Sequence, residues 1–259
     1  MPETLTRFDA GVLTLTFDRP SSRNAMTPAM YEAVHDACER ADGDAAVRVL
    51  VLRGAGTDAF VSGTDIRWFT GFTGADDGVA YEAAVTRVLH RLEDVQVPTL
   101  AVVRGHCLGG GLALAAACDL RAATPSARFG VPIARTLGNC LSPSTHALLL
   151  HHFGPARCLD MLLNARLFTG EEAEAIGFVQ RLAGEDELET EVDRLLDGLR
   201  THAPLTMWAA KETQRRLRRQ NVPDGTDIVA RVYGSTDFRA GAEAFVHKTH
   251  PRWTDHPPR

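Results

Sequence analysis

The sequence predicts an α/β protein with a helical carboxy-terminal region. Three observations lead there. Strand and helix signals alternate over residues 12–52, an apolar run at 99–103 passes through a glycine turn into an alanine-rich helix, and helical spacing dominates from Pro155 onward. Residues 12–17 alternate apolar and polar side chains, the period of a half-buried strand. Residues 26–42 have helical spacing. Thr27 before Pro28 suits an N-cap followed by the first helical position, and Gly43 suits the stop. Residues 49–52 form an apolar strand, and 79–94 a second helix with Tyr81, Val85, Val88, Leu89 and Leu92 on one side. Pro98 breaks the chain before the strand 99–103, and the turn 105–111 leads into a buried helix at 112–118. A strand is expected at 119–123 with 126–129 as its partner. Helices follow at 156–164, 171–176, 187–199, 204–219 and 240–248, with no internal repeat or low-complexity linker.

At 259 residues, 44% apolar and 24% charged, the chain can bury a full core as one compact unit. No stretch approaches the ~20 apolar residues that cross a bilayer. Residues 1–17 lack the basic and apolar regions of a secretory signal, so a soluble, cytoplasmic protein without a membrane partner is expected. The single cysteines Cys38, Cys107, Cys118, Cys140 and Cys158 form no CxxC pair and read as reduced thiols, neither a disulfide framework nor a zinc site. A net charge of −5 speaks against nucleic-acid binding. Arg215, Arg216, Arg218 and Arg219 read as a solvated helix face rather than a phosphate site. His146, His151 and His152 lack the i, i+4 spacing of a helical metal pair, and no metal is expected.

The triple glycine 109–111 is the most informative local feature. Residues without a β-carbon let a ligand approach the backbone, and the helix that follows aims free N–H groups and the positive end of its dipole at that ligand. The competing reading is a tight turn for close helix–sheet packing. A phosphate-binding P-loop is excluded because no Gly-Lys-Ser/Thr follows, and a lipase-type site lacks any G-x-S-x-G elbow. A second glycine turn, in Ala-Phe-Val-Ser-Gly-Thr-Asp-Ile at 59–66, also stands between a strand and a helix signal.

Together with Arg-Pro-Ser-Ser-Arg-Asn-Ala-Met at 19–26, the run 105–119, Leu-Phe-Thr-Gly-Glu-Glu-Ala at 167–173 with Ile-Gly-Phe at 176–178, and residues 238–253, these turns resemble the enoyl-CoA hydratase/isomerase (crotonase) superfamily in order and spacing, over nearly the whole chain. The resemblance implies an α/β crotonase-like spiral of repeated ββα units over residues 1–200. It also implies a helical carboxy-terminal trimerisation region over 201–259, in homotrimers or hexamers. The ligand it implies is an acyl-CoA thioester, with coenzyme A present only as part of the substrate and no tightly bound cofactor. The thioester oxygen would accept two backbone N–H bonds, mapped here onto Thr64 and Gly110. Arg23 and Ala25 would line the CoA phosphate and adenine region, and Ser62, Asp65 and Ile66 the adenine and pantetheine. Phe245 and Lys248 would approach the nucleotide from a neighbouring subunit. Such a hole serves any reaction through an enolate or oxyanion, and does not choose among them.

The sequence departs from the hydratases of that superfamily. Their two proton-transferring glutamates map onto Ala113 and Ile133, or Ala134 after a one-residue shift, and none of these can carry a proton. Other branches place an acid within 134–142, where this chain has Cys140 or, with a gap, Ser142, and where Asn139 can orient a water or a carbonyl. Nucleophilic work by Cys140 would need a lowered thiol pKa, for which Arg135 or the helix start after Ser142 are the nearest sources. His106 beside the glycine turn is either a base or a packed core residue. Trp68, Phe69, Phe72 and Leu137 either wall an acyl pocket or fill the core. Two functions are expected to compete: an acyl-CoA enzyme in which ordinary hydration is weak or absent, and a catalytically silent acyl-CoA-binding protein.

Overall fold

The computed structural model describes residues 2–220, 222–251 and 253–254. It opens with the hairpin β1 (Thr4–Asp9) and β2 (Val12–Phe17), followed by α1 (Pro28–Gly43). Three ββα units come next: β3 (Val49–Gly54), β4 (Ala59–Val61) and α2 (Ala75–Asp94); β5 (Thr99–Val103), β6 (His106–Leu108) and α3 (Gly110–Ala117); β7 (Leu120–Ala123), β8 (Arg128–Gly130) and α4 (Ile133–Thr136). The remainder is α5 (Pro143–Leu163), β9 (Leu167–Thr169), α6 (Gly170–Ala175), β10 (Arg181–Leu182), α7 (Leu188–Thr201), α8 (Pro204–Arg219), α9 (Thr226–Tyr233) and α10 (Thr236–Val246).

The first strand of each unit joins a six-stranded sheet ordered β1-β2-β3-β5-β7-β10, and the second joins a four-stranded sheet ordered β4-β6-β8-β9. Each unit advances both sheets by one parallel step, which is the expected spiral of ββα turns. The apolar runs in β3 and β5 are continuous because both faces are covered. Leu50 and Leu52 of β3 face the main core with α1, α2 and α3, whereas Val49 and Val51 face Leu188, Val192 and Leu199 of α7. No helix among the described residues is long and apolar enough to cross a membrane.

Several expectations need correction. Residues 126–129 do not pair with 119–123: the chain turns at Thr124, and β8 leaves for the other sheet between β6 and β9. α2 starts at Ala75 rather than Val79, because the Asp77 carboxylate accepts from Thr73 N and Gly74 N and caps an earlier turn. The helix expected at 156–164 is the second part of α5, which begins at Pro143 under a Ser142 cap and is broken at Gly154. α9 was not expected. The arginine run is not a solvated face: Arg218 and Arg219 pair with Glu93, and Arg215 and Arg219 with Asp94, fastening α8 to the end of α2.

Candidate active site

Residues 19–26 are laid against 62–65 by backbone bonds. Met26 N donates to Gly63 O at 2.8 Å, Asp65 N to Met26 O at 2.8 Å, and Ser62 N to Arg23 O at 3.1 Å. Buried Asn24 locks the loop from beneath, donating to Ala55 O and Ala59 O while accepting from Arg19 N. Arg19 adds bonds to Ala25 O and to the Asp65 carboxylate. Hydrogen bonds from Arg67 above all, with help from Arg19, hold Asp65 down to about 2, so it is ionised throughout the neutral range. Arg23, Ala25, Ser62, Asp65 and Ile66 therefore lie along one strip, while Phe245 and Lys248 are exposed at the end of α10.

The two glycine turns meet beside that strip. Gly63 and Gly109 take φ of 114° and 53°, which a side chain would strain, and a β-carbon on Gly109 would come within 3.6 Å of Gly63 Cα. The bridge between Met26 and Thr64 uses Gly63 O and Asp65 N, the groups flanking Thr64, so the Thr64 N–H points away from Met26. Gly110 opens α3, where the first N–H groups have no intrahelical acceptor. Around these turns lies a hydroxyl cluster: Thr64 Oγ1 is 2.9 Å from Tyr31 Oη and 2.7 Å from Tyr81 Oη. Burial raises the Tyr31 phenol to about 12 and the Tyr81 phenol well above its usual value, so both stay neutral donors.

Next to Tyr81, Glu82 is 6% exposed and accepts from Tyr233 Oη at 2.8 Å and from Ser142 N at 2.7 Å. Burial pushes its carboxyl up to about 7, against the opposing pull of those two bonds. Asn139 Nδ2 donates to Tyr233 Oη at 3.1 Å, and its buried Oδ1 has no partner among the described residues. Ser142 caps α5 and bonds to Thr86 Oγ1 at 3.0 Å. The Cys140 thiol moves in the opposite direction to the one nucleophilic work requires, since burial and the nearby Glu82 raise it to about 12. Trp68, Phe69 and Phe72 form an aromatic wall with Tyr81, Tyr233 and Phe238.

Ala113 is buried within α3, and Ile133 packs partly buried against the core. Burial, Arg23 and Arg128 all lower the pKa of His106, whose buried Nδ1 has no partner among the described residues. Sequence reasoning missed Glu82, Tyr31 and Tyr233 as members of the site. A different cleft of about 560 Å³, lined by Val12, Thr14, Val51, Arg53, Glu189 and Leu196, lies between the six-stranded sheet and α7 and touches neither glycine turn.

Comparison with known proteins agrees with this architecture. The family model for enoyl-CoA hydratase/isomerase matches residues 7–256. A crotonyl-CoA hydratase from Syntrophomonas wolfei is 28% identical over 240 residues, 90% of this chain and 91% of that protein. A peroxisomal Delta(3,5)-Delta(2,4)-dienoyl-CoA isomerase from Arabidopsis thaliana is 28% identical over 261 residues, 95% of this chain and 93% of that one. Among solved structures, an enoyl-CoA hydratase/carnithine racemase from Magnetospirillum magneticum matches with a TM-score of 0.81 at 31% identity, covering 98% of this chain and 96% of its own. With the ββα spiral, the two apposed glycine turns and a match across residues 7–256, this chain belongs to the enoyl-CoA hydratase/isomerase family.

Proposed function

We propose that this protein is an enzyme of acyl-CoA thioesters that holds the thioester oxygen between the N–H groups of Thr64 and Gly110. The observation that carries this reading is the apposition of the turns at Gly63 and Gly109, with the Thr64 N–H turned away from its own strand bridge and Gly110 at a helix start. Negative charge grows on the thioester oxygen when an enolate or a tetrahedral adduct forms. A preorganised donor aimed at that charge is worth roughly 3 kcal/mol. In this reading the strip of Arg23, Ala25, Ser62, Asp65 and Ile66 receives the nucleotide and pantetheine, with Phe245 and Lys248 reaching a neighbouring subunit's ligand in a trimer or hexamer.

Ordinary hydration of an enoyl-CoA is weak in this reading, because Ala113 and Ile133 stand where the proton-transferring glutamates of hydratases are expected. The same two residues favour a second reading, a silent acyl-CoA-binding protein. A screen of acyl-CoA esters in D₂O by mass spectrometry, scoring retained ligand and product mass together, separates the two, because even an isomerisation or a returned α proton then changes the mass. A mass change in the released ester supports the enzyme, and retention without any mass change supports the silent binder. Absence of both retention and a mass change with every ester rules out both.

A further inference from the structure

Glu82 is the one carboxylate among the described residues that is buried in this fold. Its hydrogen-bond donors are neutral, a tyrosine hydroxyl and a backbone N–H, and among the described residues no cation pairs with it. Burial of a carboxyl without a counter-ion is costly, and packing of α2 against α9 does not require it. Its position is equally specific. The preceding residue, Tyr81, bonds to the hydroxyl of Thr64, while its own oxygens reach the loop that carries Asn139 and Ser142. That loop offers a buried acceptor, Asn139 Oδ1, with no partner among the described residues. Through Tyr81 the helix position of the carboxyl is tied to the Thr64 turn and to the rings of Trp68, Phe69 and Phe72, and through Ser142 and Tyr233 the carboxyl itself is tied to the loop.

Resting on the thioester reading above, we propose that Glu82 carries the proton to and from the α carbon of the bound acyl group. Its carboxylate takes the α proton, the C–H electron pair moves into the Cα–C bond, and the charge settles on the thioester oxygen between Thr64 and Gly110. Return of the proton restores the ester, or moves a double bond if it lands on a different carbon of an unsaturated chain. No water, oxidant or second acid is consumed. Near a pKa of about 7 both forms of the carboxyl are populated at neutral pH, the condition for a group that must take and return a proton. The titratable groups coupled to it are Tyr31 of α1, Tyr81 of its own helix, Cys140 of the loop and Tyr233 of α9. Burial holds all four well above neutrality, so none changes charge where Glu82 titrates.

The test is hydrogen–deuterium exchange of saturated acyl-CoA esters, acetyl to decanoyl, in D₂O, read by mass spectrometry alongside thermal stabilisation of the protein by each ester. The wild type should label the α carbon of a stabilising ester with a pH midpoint near 7. Glu82→Gln should bind that ester and label it at least ~100-fold more slowly. Tyr233→Phe removes a bond that lowers the Glu82 pKa, so its midpoint should move upward. Exchange by Glu82→Gln at the wild-type rate, an unmoved midpoint in Tyr233→Phe, or a wild type that binds esters without labelling them would each overturn the assignment. Failure of every ester to stabilise the wild type instead removes the thioester reading itself, and this assignment with it.

Discussion

The Tyr233 hydroxyl donates to Glu82 Oε1 at 2.8 Å across 151 positions of sequence, so the carboxy-terminal helices complete the wall of the site. Gly78, one turn before Glu82 on α2, has no β-carbon where the Tyr233 ring lies. Val229, Tyr233 and Phe238 are buried against the chain's own core.

Glu82 should tie stability to pH. Its folded pKa of about 7 lies above the ordinary 4.5, so the folded state binds more protons than the unfolded state between those values. This contribution is fully present below about 4.5 and is lost as pH rises through about 7. Urea titrations of wild type and Glu82→Gln at several pH values should show the wild type losing on the order of 3 kcal/mol relative to the variant across that window. Parallel curves for the two proteins would mean that the carboxyl is not held protonated by burial.

Crotonyl-CoA hydration should be slow or absent. A positioned acid or base typically supplies ~10²–10⁴ in rate, and Ala113 and Ile133 supply neither. Loss of enoyl absorbance should give a turnover number far below the ~10 per second of an ordinary enzyme. A value near that figure would mean that the proton-transfer groups of hydration lie elsewhere in the chain.

The α8 clamp should be structural. The Arg218 and Glu93 side chains, 6% and 9% exposed, form an ion pair that Arg219 joins. Glu93→Ala leaves Arg218 buried without its carboxylate and should cost about 3–5 kcal/mol in denaturant titrations. A loss under about 1 kcal/mol would place this pair with the weak surface bridges.

Self-association should be visible in solution. Leu159, Leu163, Leu205, Trp208 and Leu217 are large apolar side chains exposed on α5 and α8, and Phe245 and Val246 are exposed on α10. Sedimentation should return three or six times the 28.1 kDa subunit mass, and a monomer at micromolar concentration would refute the proposed assembly.

Much of the fold was legible because local physics and tertiary context agree there. The alternation of 12–17, the apolar runs 49–52 and 99–103, and the Thr27–Pro28 helix start all appear where periodicity and capping put them. β4 and β6 are too short to display a period, and β8 joins the other sheet through a turn that local sequence does not encode. The two glycine turns could be read as a pair, but their contact could not. Glu82 left a usable signal, since with Val85, Leu89 and Leu92 it falls at the three- and four-residue spacing of the buried face of α2. Its meaning depends on Tyr233, which belongs to a helix that the sequence did not announce.

The most direct test of the thioester claim is the carbonyl stretch of a bound acyl-CoA ester labelled with ¹³C at the thioester carbon, measured by infrared difference spectroscopy. Two N–H donors drain electron density from the C=O bond, so the band of the bound ester should lie below that of the free ester in buffer. Thr64→Pro, which removes one donor, should return part of that shift. A bound ester whose carbonyl absorbs at or above the free-ester frequency, with no response to Thr64→Pro, would contradict a thioester oxygen held between Thr64 and Gly110.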